Sequence, residues 1–141
     1  MEIKRLTNKE LMLKIFNLVK ENGHYGKAEK IIDYFLPESM TVREITNCEF
    51  DFCADVNYGK SEGIYVDCYI KGNFDENNQG NSEILDCGTF KTLEGNINTM
   101  KIMGELCGSL VFYGRRYVNQ NLDRFIPARE MNKDSNNSNE A

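Results

Sequence analysis

Carboxylates and tyrosines recur at alternate positions in the middle of the chain. Asp51 and Asp55 alternate with apolar residues, and Asp67 lies midway between two tyrosines. Alternate residues of a β-strand face the same side, so two paired strands would gather these side chains on one face. Tyrosines supply contact area and carboxylates select a basic partner. The face is either a partner-binding surface or an ordinary solvated sheet face. Its residues are Glu49, Asp51, Asp55, Tyr65, Asp67 and Tyr69.

A second candidate site lies near the C-terminal end of a predicted helix. Phe112 and Tyr113 precede Arg115 and Arg116. Arginine beside aromatic rings can hold a phosphate or a planar base. Cations are also favoured at any helix C-terminus, because they offset the negative end of the helix dipole. The cluster therefore predicts either a small anionic-ligand or nucleotide site, or a helix end with no further role.

Glycines interrupt the same predicted helix. Gly104 and Gly108 are one turn apart, and Gly114 follows. Each glycine costs about 1 kcal/mol relative to alanine in a helix interior, so we expect a close approach by another element. The approaching element is either this domain's own sheet or helices, or a second copy in a symmetric homodimer.

Catalytic and metal-binding patterns are missing from the sequence. His24, the only histidine, falls in a predicted turn and has no evident Ser or Cys nucleophile beside it. No phosphate-binding glycine loop or dinucleotide fingerprint is present. The cysteines lack the paired spacing of zinc sites, so we expect reduced, half-buried thiols. The sequence predicts a non-enzymatic protein without cofactor or metal. The cysteines are Cys48, Cys53, Cys68, Cys87 and Cys107.

Two helices are predicted before the acidic segment. Thr7 and Glu10 have the spacing of a capping box, and an apolar stripe then runs to a left-handed cap at Asn22 and Gly23. A second helix is indicated by apolar residues from Ala28 to Leu36 at helical spacing, stopped by Pro37. Together they predict an N-terminal helical hairpin.

Three strands and a long helix follow. Period-two alternation over 48–58 and again over 64–71 predicts a β-hairpin. A third strand is predicted over 83–93, where apolar residues change parity in a way that a bulge near Gly88 would explain. The long helix spans roughly Ile97 to Asn121. Its predicted inward stripe comprises Met100, Met103, Cys107, Leu110, Gly114, Tyr117 and Val118.

The predicted fold is α+β, with a three-stranded antiparallel meander packed between amphipathic helices and the C-terminal helix on the sheet. We expect a single domain over 1–128 and a disordered tail over 129–141. The acidity belongs to residues 48–94, which carry three lysines and ten acidic residues. Such a segment repels nucleic-acid phosphates. The chain carries no apolar run of membrane-spanning length, so we expect a soluble, cytoplasmic protein.

The chain resembles small accessory proteins carried by phages and conjugative elements of low-GC Gram-positive bacteria. The resemblance is carried by its 17 asparagines, its many lysines, and the runs NYGKSEGIYVDCYIKG (57–72) and KIMGELCGSL (101–110). Proteins of that kind often bind and block host factors, sometimes through acidic surfaces. The resemblance thus implies an anti-defence inhibitor or modulator that binds a basic surface on a host protein.

Overall fold

In a computed structural model, the described residues are 6–23, 25–35, 40–45, 50–59, 63–72, 83–92 and 94–121. They form an α+β fold, as the sequence predicts. The helices are α1 (Asn8–Asn22), α2 (Gly26–Glu29) and α3 (Ile97–Gln120), and the strands are β1 (Tyr34–Phe35), β2 (Phe50–Gly59), β3 (Gly63–Gly72) and β4 (Glu83–Lys91). The strands form one antiparallel sheet in the order β1-β4-β3-β2. The predicted tail lies outside the described residues.

Helix α1 begins with the predicted capping box. The Thr7 hydroxyl accepts a hydrogen bond from the Glu10 amide at 3.1 Å, and the Glu10 carboxylate accepts one from the Thr7 amide at 3.2 Å. The expected left-handed cap is wrong, because Gly23 is extended. A Cβ on Gly23 would lie 3.2 Å from the Tyr113 ring and 3.3 Å from Ser109 Cβ. Its closest contact, 2.9 Å, would be with the Val19 carbonyl oxygen, so glycine is favoured here first by the backbone of α1 and then by the proximity of α3.

The predicted second helix is much shorter than expected. Helix α2 ends at Glu29, and Tyr34 and Phe35 instead form β1, which pairs with Lys91 and Phe90 of β4. The Phe35 ring stacks on the Phe90 ring with centroids 4.1 Å apart. This aromatic contact and the strand pairing outweigh the helical spacing of the segment. The helical hairpin is thus only partly matched, and the meander of β2, β3 and β4 gains a fourth strand. Leu36 and Pro37 lie outside the described residues.

The predicted hairpin and bulge are both present. Strands β2 and β3 pair from Phe50 opposite Gly72 to Gly59 opposite Gly63. The register of β3 against β4 shifts between Cys68 and Tyr69. At this bulge Gly88 has φ = 116°, a left-handed backbone that favours glycine. The extra residue explains the change of parity, since Leu85, Cys87 and Phe90 are all buried.

The hydrophobic core lies between one face of the sheet and two helices that pack on that same face. Helix α3 packs mainly on β2, α1 packs on β4, and the helices contact each other. The helices therefore do not flank the sheet on both sides as expected. The predicted inward stripe of α3 also needs correction: Met100 is 41% exposed, whereas Leu106, outside that stripe, is fully buried. Gly114 does face the core, directly against the ring of Phe52.

Side chains protect the edge of the sheet at β2 and the part of β4 that the short strand β1 does not cover. At β2, Arg115 Nε donates to the Phe52 carbonyl at 3.3 Å, and the Cys107 thiol donates to the Ala54 carbonyl at 3.1 Å. At β4, the fully buried Asn8 amide donates to the Asp86 carbonyl at 2.6 Å. Unpaired strand edges invite pairing with other chains. These contacts satisfy edge carbonyls from within the domain.

The thiols are free, as predicted, at the four cysteines that the structure describes. Cys68 and Cys87 are buried, and Cys53 and Cys107 are half-buried. Burial raises the thiol pKa at all four positions. They therefore act as small apolar groups rather than as nucleophiles. Cys48 lies outside the described residues.

Candidate binding surface on the outer face of the sheet

We call the side of the sheet turned away from α1 and α3 the outer face. Strand pairing places Asp55 directly opposite Asp67, and Tyr69 directly opposite Cys53. Asp51 and Tyr65 lie on the same face. The structure therefore gathers five of the six predicted partner-binding residues on one surface, and Glu49 lies outside the described residues.

Asp55 and Asp67 form the centre of this face. The Tyr69 hydroxyl donates to Asp55 Oδ2 at 2.6 Å. Asp67 accepts from Thr89 Oγ1 at 2.9 Å and from Asn57 Nδ2 at 3.3 Å. All three donors are neutral, and within the described residues neither carboxylate forms an ion pair. Two negative charges thus remain side by side at the middle of the sheet.

The hydrogen bond to Asp55 changes the acidity of Tyr69. The pKa of the Tyr69 hydroxyl is raised to about 12, mainly because the carboxylate holds the proton, with smaller contributions from desolvation and from the negative charge of Asp55. The raised pKa extends to higher pH the range in which the Tyr69 hydroxyl keeps its proton and donates. Its ring is held in place at the surface before any partner arrives.

Asp51 is neutralised by Arg115, a residue from the other predicted site. The guanidinium donates from Nε to Oδ1 at 3.0 Å and from Nη2 to Oδ2 at 2.9 Å, a bidentate geometry. The two side chains are 50% and 56% exposed. The hydrogen bonds to Asp51 raise the pKa of Arg115. Two residues that the sequence assigned to different sites thus form one ion pair at the edge of the sheet.

Basic side chains at both ends of the outer face reduce its net charge. Arg115 and Lys71 lie at the end near Asp51. At the other end Lys91 lies opposite Tyr65, with its Nζ 5.8 Å from the centroid of the Tyr34 ring. This end was not anticipated from the sequence, because β1 was predicted as helix. The outer face therefore has an acidic centre between basic ends, and is less acidic than the charge of 48–94 indicates.

The structure does not bring Arg115 and Arg116 together. Arg115 reaches the β2 edge, whereas Arg116 lines a groove of about 300 Å³ between the end of α1 and α3. Phe112 and Tyr113 are on the α1 side, with ring centroids 5.0 Å apart. The Tyr113 hydroxyl donates to the Asn22 carbonyl at 3.0 Å. The predicted ligand cluster is thus divided between the two sides of α3.

The glycines of α3 fall into two groups. Gly114 is buried against Phe52, whereas a Cβ on Gly104 or Gly108 would meet nothing within 4 Å in the part of the chain that the structure describes. Contact with the domain's own sheet therefore explains Gly114 alone. For Gly104 and Gly108 a contact with a second copy stays a prediction.

Among the described residues no cluster of three or more His, Cys, Asp or Glu side chains could hold a metal ion. No described helix has the combination of length and apolar content needed to cross a lipid bilayer. Comparison of the chain with protein-family models, curated proteins and solved structures finds no match.

Proposed function

We propose that this protein is a non-enzymatic binding protein that docks a basic surface of a partner protein on its outer face. The observation that supports the proposal is the pair Asp55 and Asp67. These carboxylates lie directly opposite each other, and among the described residues only neutral groups donate to them.

The carboxylate pair favours a cationic guest. Directly opposed like charges on paired strands are destabilising, and the neutral donors do not remove either charge. A lysine or arginine side chain from a partner would relieve the repulsion and form charge-assisted hydrogen bonds with both carboxylates. Binding would therefore both relieve a charge repulsion that is present in the isolated protein and add attractive interactions in the complex.

The surroundings of the pair suit a protein partner. Tyr65 and Tyr69 flank Asp67 along β3, are half-buried, and offer rigid contact area. The hydrogen bonds of Tyr69, Asn57 and Thr89 already hold the central side chains in place. Less conformational entropy is then lost on binding.

The basic ends of the outer face would select the orientation of the partner. A partner that carries a cation at its centre gains at Asp55 and Asp67, whereas a uniformly basic partner meets repulsion at Lys71 and Lys91. We therefore expect a basic residue flanked by neutral or acidic residues. An inhibitor or modulator of a host-defence factor, acting in the cytoplasm for a phage or mobile genetic element, is one instance of this function.

The test is affinity capture from a host lysate with three forms of the protein. The double variant Asp55→Asn/Asp67→Asn removes both central charges while keeping the side-chain shape. The control Glu21→Gln/Glu29→Gln makes the same change in net charge at exposed positions of α1 and α2. We expect a partner that wild type and the control recover equally and that the central variant loses.

The captured partner should also show the electrostatic signature of the site. Its affinity for wild type should fall as salt rises, and the central variant should be less sensitive to salt, because exposed charges are screened. Equal recovery of the same partners by the central variant, with an unchanged melting temperature, would rule out the outer face as the docking surface.

A small anionic ligand is the alternative. With Arg115 paired to Asp51, Arg116 and Tyr113 would have to hold it in the groove of about 300 Å³ beside α1, and Phe112 lines the neighbouring groove that shares Tyr113. Nucleotides should then raise the melting temperature of wild type and of Arg115→Gln, but not of Arg116→Gln. A melting temperature that no nucleotide changes would count against this function.

A further inference from the structure

The exposed side of α3 carries a projecting ring next to an open groove. Phe112 is 58% exposed, although it is a large apolar residue. One turn earlier, Gly108 leaves open space where a side chain would stand. Beside it is a groove of about 400 Å³, lined by Gly23, Glu105, Gly108, Ser109, Phe112 and Tyr113. The helix thus presents a projection and a recess at adjacent turns.

We propose that this side of α3 is the contact between two copies of the chain. The helices lie antiparallel across a two-fold axis, and Phe112 of each copy inserts over Gly108 of the other. Each copy contributes the same projection and the same recess, which is the self-complementarity that a two-fold contact requires. Because Gly108 has no side chain, the partner's Phe112 ring fits over it. This contact would explain why a glycine stands at a helix position where it lowers helix stability.

The charges on this side of α3 support a second copy as the occupant. Arg116 lies one turn after Phe112, and Glu105 lies one turn before Gly108. In the antiparallel arrangement, Arg116 of one copy therefore lies beside Glu105 of the other, twice in the dimer. Within the described residues neither side chain has an ion pair. Both charges are thus available for pairing across the two-fold axis.

The contact leaves the outer face accessible, because α3 lies on the opposite side of the sheet. A dimer would present two outer faces to partners, and dimerisation can be tested independently of partner binding. Failure of either proposal leaves the other standing.

Sedimentation velocity of the full chain, from about 10 μM to about 1 mM, tests the proposal. We expect a monomer–dimer equilibrium for wild type. A Cβ at Gly108 meets nothing within 4 Å among the described residues of the monomer, so Gly108→Leu, which fills the recess, should raise the dimer Kd at least tenfold while the melting temperature of the monomer stays the same or rises. Phe112→Ala should weaken the dimer similarly.

Charge reversal identifies the pairing. Glu105→Arg should raise the dimer Kd roughly tenfold, because two exposed ion pairs become two repulsions. The double variant Glu105→Arg/Arg116→Glu should restore the Kd to within about threefold of wild type, as expected for directly interacting side chains.

Ile97→Ser is the matched control. Ile97 is 90% exposed, but in the proposed register it lies beyond the end of the partner helix, so its loss should leave the Kd unchanged. A chain that remains monomeric at the highest concentration would overturn the proposal. So would a dimer that Ile97→Ser disrupts and Gly108→Leu does not.

Discussion

The two faces of the sheet are built from alternate residues of the same strands, yet they are held by different forces. Inner residues such as Phe52, Val66 and Phe90 are completely buried and pack against α1 and α3. Outer residues such as Asp55 and Tyr69 make hydrogen bonds at the surface. A change on the inner face alters close packing, whereas a change on the outer face alters exposed interactions. Strand alternation thus separates the residues that stabilise the fold from those that could recognise a partner.

The largest effect is expected at Asn8, on the buried side. Its amide donates to the carbonyls of Asp86 at 2.6 Å and Thr41 at 3.1 Å, and its oxygen accepts from the Arg43 amide at 2.8 Å. Asn8→Ala would leave these backbone groups unsatisfied. We expect it to lower the free energy of unfolding by roughly 3 kcal/mol, measured by urea denaturation.

Leu6→Ala provides a comparison for Asn8→Ala, because it removes buried apolar volume beside the segment 41–45, which Asn8 also contacts, without removing side-chain hydrogen bonds. A loss below about 0.5 kcal/mol for Asn8→Ala would show that water replaces the missing amide. The inner side would then tolerate polar changes as readily as the outer face does.

The second largest effect is expected at Gly114. A methyl group there would overlap the ring of Phe52, so Gly114→Ala should destabilise the protein by roughly 2 kcal/mol through overpacking. Gly104→Ala is the matched control, because its Cβ enters open space. It should instead stabilise the helix by up to about 1 kcal/mol. Similar changes in the free energy of unfolding for both variants would contradict the division of the α3 glycines.

The smallest effect on stability is expected on the outer face. Asp55→Asn removes the charge beside Tyr69, and the free energy of unfolding at neutral pH should change by less than about 0.5 kcal/mol. The pKa of Tyr69 should fall from about 12 toward 10. An NMR titration of the tyrosine ring carbons measures this pKa, with Tyr69→Phe to assign the resonance. An unchanged pKa in Asp55→Asn would mean that the carboxylate does not hold the proton.

The raised pKa of Tyr69 also gives the direction in which the stability of the fold depends on pH. The pKa of Tyr69 is about 12 in the folded protein and 10.0 for an unperturbed tyrosine, so the folded state holds this proton more tightly. Whatever stability the hydrogen bond contributes is present in full below about pH 10 and is lost as the pH rises toward 12. Asp55→Asn should lose this dependence.

Much of the fold could be predicted because its signals are local. The capping box at Thr7 and Glu10 needs only residues three apart, and the bulge at Gly88 follows from a change of parity within one strand. The central carboxylates were predicted for the same reason, since two alternating strands joined by a short turn define their shared face. Helix α3 was placed correctly, but Leu106 was missed because an apolar stripe does not reveal which of its neighbours the sheet will cover.

Strand β1 shows where local signals fail. The apolar residues from Ala28 to Phe35 fit helical spacing, yet Phe35 stacks on Phe90, which is more than fifty positions away in the chain. Tertiary contact overrode local propensity, which is a weak preference in a short segment. The position of Tyr34 beside Lys91 on the outer face was missed with it.

By itself the sequence determined the α+β class, the hairpin of β2 and β3, the bulge in β4, and the strand face on which Asp55, Asp67 and Tyr69 lie, because periodicity and capping act over a few residues. Only the tertiary structure decided that both helices share one face, and that Arg115 neutralises Asp51 from 64 positions away. It also separated Gly114, buried against Phe52, from Gly104 and Gly108, which face open space. Contacts of this kind depend on how complete elements pack, and residue spacing carries no record of that packing.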